Sequence, residues 1–415
     1  MCAAFGDDMQ NVRRSSDTLF NDLLLPEETQ RIRKEVRELA SQVLGPVAHS
    51  LNTTPESVDS FPWDVMKQLA NGGIYTIPFG AGVGGRGLKF PMLATMIAME
   101  ELAYYAPGLT SALYDAQALL VGKTLEANPG AMRDKWLAKL VKGEFVGAFA
   151  TSEPAASTDL SVESIQTTAT PVPEGWRVTG RKRWITNSPV ADVCLTLCRT
   201  GDSLTMLAID LDAEGVTVGS PDRKMGNYAQ LTADIAFDNV AVRADAVVGP
   251  KGKGLRVALG ALALGRMGIG AVGTAMAQAA FDYAVAHMEK RSVFGQKLAQ
   301  FQHWQFTFAN HAISIENARS LYQKAAHRYD VNPASVEPQA AMAKVAGSEA
   351  AVDIARSAIQ VCGAYGFVRE LAATGETFPL ESIYRDSKIG EIYEGANEIQ
   401  RQIVARSIFG RQFVG

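Results

Sequence analysis

The sequence predicts a mainly helical protein with a small β domain set between two helical ones. Apolar residues recur at helical spacing from Pro26 to about Lys142 and switch to alternation near Phe145. Helical spacing returns after Gly249-Pro250-Lys251-Gly252-Lys253-Gly254 and holds to the end. At 415 residues the chain is also too long for one core. The expected layout is a flexible tail over 1–25, a helical domain over 26–144, a barrel- or sandwich-like β domain over 145–250 and a four-helix bundle over 251–415.

Each element follows from a local pattern. Ile32, Val36, Leu39, Val43 and Leu44 make one apolar helix face. Phe61-Pro62 opens a second helix through Val65, Met66 and Leu69, and Gly72-Gly73 closes it. The glycine-rich run 80–87 lacks the lysine and the strand–loop–helix context of a phosphate cradle, so it reads as a loop. A long helix covers 92–105 and another starts near Thr110. In the β region Trp176, Val178, Trp184 and Thr186 alternate along a hairpin whose turn is Pro171-Val172-Pro173-Glu174-Gly175. Short apolar strands follow over 193–197, 204–211, 216–218 and 233–242. The bundle helices are expected over 255–289, 301–329, 338–362 and 397–409. Ala340, Ala341, Ala343 and Ala346 give the third of these a surface suited to close helix contact.

Composition excludes several classes. A hydrophobic fraction of 47% and a charged fraction of 20% are those of an ordinary globular protein. The net charge of −4 offers no basic field for nucleic acid. No apolar run in the sequence reaches the length of a membrane span, and residues 1–8 lack the basic and apolar regions of a signal peptide. Cys2, Cys194, Cys198 and Cys362 fit neither a zinc site nor a disulfide framework, which points to a cytoplasmic protein. His49, His287, His303, His311 and His327 are scattered, so no metal is expected.

The chemistry centres on Ile392-Tyr393-Glu394-Gly395-Ala396-Asn397-Glu398-Ile399-Gln400-Arg401. Asn397 and Gln400 read as an N-cap and its capping-box partner, opening a helix marked by Ile399, Ile403, Val404 and Ile408. Glu394 then lies just ahead of a helix N-terminus, and Gly395 permits a close backbone approach. Alone, such a glutamate is a solvated helix end.

Other stretches give it a role. They are Phe149-Ala150-Thr151-Ser152-Glu153-Pro154, Gly180-Arg181-Lys182-Arg183-Trp184-Ile185-Thr186-Asn187, and Arg291-Ser292-Val293-Phe294-Gly295 with Phe301-Gln302. The last runs from Gln360-Val361-Cys362-Gly363-Ala364-Tyr365-Gly366 through Tyr384-Arg385-Asp386 to Tyr393-Glu394-Gly395. Phe61-Pro62, Gly84–Leu88 and Glu100-Glu101-Leu102 add to the series. In order and spacing these closely resemble the acyl-CoA dehydrogenases, from Glu27 onward.

That resemblance implies a flavin enzyme. Removing an α-proton and a β-hydride from an acyl thioester needs a placed carboxylate and a two-electron acceptor that no side chain supplies. The resemblance assigns the proton to Glu394 and the hydride to FAD. Phe149, Thr151, Ser152, Thr158, Trp184 and Thr186 would then line the flavin. Arg291, Phe294 and Gln302 would reach the FAD of a neighbouring subunit, and Gln360 and Gly363 that of a further one. A cofactor shared between chains implies a homo-oligomer, a tetramer as in most relatives, with an electron-transfer flavoprotein as acceptor. Arg266, Tyr114, Tyr393 and Gly395 would contact substrate, Tyr114 closing the acyl pocket beside the polar Thr110 and Asp115. A short, branched or polar acyl group is the expectation.

Four positions depart from the family pattern. Ser157 replaces a glycine, Ala364 and Ala396 replace a glycine and a threonine, and Ala263 stands where many relatives carry an aspartate that helps hold CoA. The last leaves room for an acyl group borne by a carrier protein. A monooxygenase or desulfinase on the same fold is a further alternative, against which Glu394 itself argues.

Overall fold

The structure, a computed structural model, describes residues 12–19 and 24–414. The expectations for residues 1–8 and for Cys2 therefore lie outside the described residues. The first helical region contains Glu27–Val43, Trp63–Asn71, Pro91–Ala103 and Ala131–Val141. Between the last two the chain continues through Ser111–Lys123, which winds as a π-helix. Glycines 80–87 form a loop carrying one short turn, Ala81–Val83.

The Glu100-Glu101 pair is what fastens this region to the bundle. Both carboxylates are buried. Glu101 accepts from Arg37 Nε and Nη2 at 3.0 Å each, and Glu100 from Arg33 Nη2 at 3.3 Å. Glu100 also accepts from Arg319 Nε at 2.9 Å, and Arg319 belongs to the bundle helix Gln302–Val331. Burial works against both charges, but the surrounding guanidiniums hold both carboxyls below the usual glutamate range.

The middle region is one seven-stranded sheet. Its strands are β1 (Gly147–Ala150), β2 (Thr168–Val172), β3 (Gly175–Thr186), β4 (Val193–Thr200), β5 (Ser203–Asp210), β6 (Val216–Val218) and β7 (Thr232–Arg243). They lie in the order β1-β4-β2-β3-β7-β6, with β5 on β4. Val172 pairs with Gly175, so the hairpin turn narrows to Pro173-Glu174. The alternation expected along β3 holds for the buried Trp176 and Val178 but not for Trp184. The β3–β7 register slips between Lys182 and Ile185, and Trp184 takes a left-handed φ of 57°. A bulge of this kind re-aims a side chain, and the indole is 55% exposed.

Two positions earlier, Lys182 is fully buried. Its ammonium donates to Glu153 Oε1 at 2.8 Å and to the Thr151 carbonyl at 3.2 Å. Glu153 also accepts from the backbone N–H groups of Gln166 and Thr167, at 2.6 and 3.0 Å. This filled set of bonds pins the loop after β1 onto β3.

The four bundle helices are Gly254–Lys290, Gln302–Val331, Glu337–Cys362 and Asn397–Phe409. The first is 37 residues long and, against the expectation that no apolar run reaches a membrane span, is apolar enough to cross one by length and composition. It is mostly buried inside the bundle instead. Its contact with Glu337–Cys362 is closer than alanine allows. A Cβ on Gly347 would stand 2.3 Å from the Gly270 carbonyl oxygen, and one on Gly273 would stand 2.5 Å from Gly347 backbone. Ala340, Ala341 and Ala343 are buried as expected, and Ala346 is half-buried.

Breaking a buried ion pair by removing one partner costs about 3–5 kcal/mol. Lys182→Met should therefore lower the unfolding free energy by about that much, measured by denaturant melts. An unchanged midpoint would contradict the pinning role.

Candidate active site

Glu394 sits where three helical elements meet. It occupies a left-handed turn, φ 54°, followed by Gly395 at φ 88°. Two side chains hold that strained turn. Gln400, fully buried, donates from Nε2 to the Gly395 carbonyl at 2.9 Å and to the Glu394 carbonyl at 3.4 Å. Arg266, buried on Gly254–Lys290, donates from Nε to the same Glu394 carbonyl at 3.4 Å. With the main chain tied down from both sides, the carboxyl direction is fixed.

The expected capping box is not what forms. Ala396 takes the N-cap position without a side-chain bond, and Asn397 is the first helical residue. The Asn397 amide turns toward Glu337–Cys362, accepting from Lys344 Nζ at 2.7 Å and donating to Ser348 Oγ at 3.1 Å. The reason is Lys344, a fully buried ammonium that needs an acceptor. Burial lowers its pKa to about 8, while Glu394 is the first of the carboxylates that oppose the shift.

Glu394 is half-buried, and its Oε2 has no hydrogen-bond partner among the described residues. Burial pushes its pKa up to about 7, against the pull of Arg266 and Lys344. A carboxyl tuned to that value can take and release a proton near neutrality. A Cβ at Gly265 would stand 2.6 Å from Glu394 Oε2, so the carboxyl lies directly on the glycine face of the helix. Tyr393 is joined to Ser111 of the π-helix, hydroxyl to hydroxyl at 3.3 Å.

The second cluster is the end of β3 around Trp184. The Arg183 N–H donates to the Ser152 carbonyl at 3.0 Å, so two stretches some thirty residues apart lie side by side. Thr186 Oγ1 accepts from Gln230 Nε2 at 3.2 Å. Asn187 donates to the Ala112 carbonyl of the π-helix at 2.8 Å, tying this edge to the helical layer. Phe149 and Thr151 are buried, Ser152 and Thr186 half-buried, and Thr158 exposed. An exposed indole beside small hydroxyls fits a flat heteroaromatic ring.

Comparison with known proteins agrees with this layout. Family models match residues 26–144 (acyl-CoA dehydrogenase, N-terminal domain), 148–240 (middle domain) and 252–409 (C-terminal domain). The chain is 33% identical over 397 residues to the short-chain specific acyl-CoA dehydrogenase of Bos taurus mitochondria, covering 94% of this chain and 92% of that one. The chain belongs to the acyl-CoA dehydrogenase family. Among solved structures it resembles butyryl-CoA dehydrogenase from Megasphaera elsdenii, with a TM-score of 0.86 and 30% identity over 94% of this chain and 100% of that one. A structure reported with the electron transferring flavoprotein of Acidaminococcus fermentans is equally similar in fold, at TM-score 0.86 and 29% identity over 94% and 100% of the two chains.

The remaining family positions divide into two groups. Arg291, Phe294, Gln302, Gln360 and Gly363 are all exposed. Phe294 is 96% exposed at the tip of the small hairpin Ser292–Lys297, held at φ 46° with Gly295 at φ 81°. Tyr384-Arg385-Asp386 faces the β domain: Arg385 donates to the Met225 carbonyl at 2.9 Å, and Asp386 accepts from the Asn227 N–H at 2.6 Å. Tyr114 is buried: its hydroxyl donates to the Ile74 carbonyl and its ring stacks on Tyr75 in the N-terminal region. The carboxyl of its neighbour Asp115 lies near that of Glu394, since a Cβ on Gly265 would stand 3.2 Å from Asp115 Oδ1 and 2.6 Å from Glu394 Oε2.

Sequence reasoning missed Lys182, Lys344 and the latch role of Gln400. Lys182 lies on the same alternation as Trp176 and Val178, and that signal could have found it. Lys344 stands among alanines on a helix with no such marker. Lys344→Met should raise the Glu394 ionisation midpoint, because it removes a cation that favours the carboxylate. Infrared titration of the carboxyl band would read this, and an unmoved midpoint would refute the link.

Proposed function

We propose that the protein removes the α-proton and β-hydride of a short acyl-CoA thioester, with Glu394 as the base. The observation that carries this reading is a half-buried carboxyl tuned to about 7, unpartnered at Oε2, on a turn held by Arg266 and Gln400. Glu394 takes the α-proton, and its raised pKa keeps it a strong enough base to do so near neutrality. Its backbone N–H, aimed by the left-handed turn, polarises the thioester carbonyl as negative charge builds there. Arg266, Tyr393 and Gly395 line the substrate around it.

FAD, when bound, supplies the acceptor for the β-hydride. Phe149, Thr151, Ser152, Thr158, Trp184 and Thr186 would hold it beside the end of β3. Arg291, Phe294 and Gln302 extend to the FAD of a neighbouring subunit, and Gln360 and Gly363 to that of another, in a homotetramer. Exposed Phe294, Phe367, Ile408, Phe409 and Phe413 support such an assembly, since large apolar side chains at 61–96% exposure favour burial against a partner. Short acyl substrates are supported by the relatives named for short-chain and butyryl groups. An electron-transfer flavoprotein as acceptor is supported by the Acidaminococcus fermentans likeness.

Anaerobic titration of the flavin-loaded protein with acyl-CoA thioesters of increasing length tests the reading, with bleaching by a short member expected. If no acyl-CoA bleaches a fully loaded protein, the reading is wrong. Glu394→Gln should keep FAD yet slow bleaching about 10²–10⁴-fold; normal reduction by that variant removes Glu394 from the mechanism. In the wild type the rate should climb as pH rises through about 7, because Glu394 is protonated and idle below it. Arg291→Ala should lose FAD or dissociate on gel filtration, and a fully loaded, intact oligomer would refute the shared cofactor.

A further inference from the structure

Beside Glu394 lies a second carboxyl that the proposed reaction does not use. Asp115, on the π-helix Ser111–Lys123, is 3% exposed, and its Oδ1 has no hydrogen-bond partner among the described residues. A Cβ built on Gly265 would meet Glu394 Oε2 at 2.6 Å and Asp115 Oδ1 at 3.2 Å. Both carboxyls therefore crowd one point on the face of Gly254–Lys290. One turn further along, a Cβ on Gly268 would meet Asp115 Oδ1 at 3.1 Å, between Met99 Cε at 2.9 Å and Leu119 Cδ1 at 3.2 Å. Besides Glu394, the Tyr393 phenol feels the Asp115 charge, while glycine, methionine and leucine lie on the Gly268 side. A buried polar atom left unpaired calls for a partner.

The two carboxyls are not equivalent. Arg266 and Lys344 both favour the charge on Glu394. What bears on Asp115 is burial first and then the Glu394 charge, and both push its pKa well above the aspartate range. Like charges at such close quarters do not both ionise, so one proton stays with the pair. The cations decide that Glu394 gives it up and Asp115 keeps it. A neutral carboxylic acid is a hydrogen-bond donor, whereas a carboxylate only accepts.

We propose that Asp115 is a specificity-determining residue, a hydrogen-bond donor beside the base that selects acyl groups carrying a neutral hydrogen-bond acceptor. This rests on Glu394 acting as the base of an acyl-thioester dehydrogenase. An acyl group ending in a keto or ester oxygen satisfies Asp115. A plain alkyl end leaves the donor buried and unpaired, and a terminal carboxylate adds a third acid where no cation among the described residues offsets the burial of Asp115.

The test uses the flavin-loaded protein and three acyl-CoA thioesters of equal chain length: pentanoyl, levulinyl with its neutral keto oxygen, and glutaryl with its carboxylate. The readout is kcat/KM for levulinyl over pentanoyl, compared between wild type and Asp115→Leu, so that intrinsic substrate reactivity cancels. The ratio should fall about tenfold in Asp115→Leu, the worth of one such bond, and should survive in Asp115→Asn, whose amide still donates. Glutaryl-CoA should be the poorest substrate of wild type. An unchanged ratio in Asp115→Leu, or glutaryl-CoA as the preferred substrate, overturns the proposal.

A second readout needs no turnover. At mildly alkaline pH the infrared band of a protonated carboxyl should persist in wild type and Glu394→Gln and be lost in Asp115→Asn. Its absence from the wild-type minus Asp115→Asn difference spectrum overturns the proposal even if no acyl-CoA is turned over. Failure of all three thioesters with the band present would count against the dehydrogenase reading and leave the protonated Asp115 standing.

Discussion

The site depends on how closely two helices can approach. Gly254–Lys290 and Glu337–Cys362 meet through Gly270, Gly273 and Gly347, where any Cβ would fall within 2.8 Å of opposing backbone. Glycine in a helix interior costs about 1 kcal/mol against alanine, so the contact is kept for the geometry it permits. With the axes this close, Arg266 from one helix and Lys344 from the other both reach the segment carrying Glu394. With Asn397 tied to Lys344, a wider spacing would draw the Glu394 carbonyl away from Arg266, and the turn at Glu394 would lose a wall.

The same logic explains why a residue is held in a left-handed turn just ahead of a helix. A non-glycine residue at positive φ is unfavourable and persists only where its surroundings over-determine it. Here Arg266 and Gln400 bind the Glu394 carbonyl, Gln400 binds that of Gly395, and Asn397 is fixed by Lys344 and Ser348. The carboxyl, in contrast, is left with an unpartnered oxygen. Main chain satisfied and side chain unsatisfied is the arrangement a proton acceptor needs. Trp184 repeats it at the end of β3, where the bulge gives up backbone pairing to present an indole beside Ser152 and Thr151.

Electrostatics separates groups that look alike in the sequence. Glu100, Glu101 and Glu153 are buried among arginines or a lysine and are held ionised as ties between elements. Glu394, half-buried, and Asp115, buried, each keep an oxygen with no hydrogen-bond partner among the described residues, and burial raises their proton affinities. Structural and reactive carboxyls differ here in their neighbours.

The helix–sheet–helix order, the bundle helices to within two residues, and the motifs around Ser152, Trp184, Arg291 and Glu394 were legible in the sequence. They rest on local periodicity and on runs of adjacent residues, which the chain carries without folding. What one strand or helix does to another was not legible. The bulge that turns Trp184 outward depends on its register with β7. The diversion of Asn397 from cap to ligand of Lys344 depends on a helix fifty residues away. The placing of Asp115 near Glu394, while the adjacent Tyr114 hydroxyl turns to the Ile74 carbonyl, is made by packing, since adjacent residues on a helix point in different directions. The sequence by itself determined which chemistry is present and in what order. Tertiary structure alone decided which carboxyl is charged, because burial and distance to Arg266 and Lys344 are properties of the folded chain.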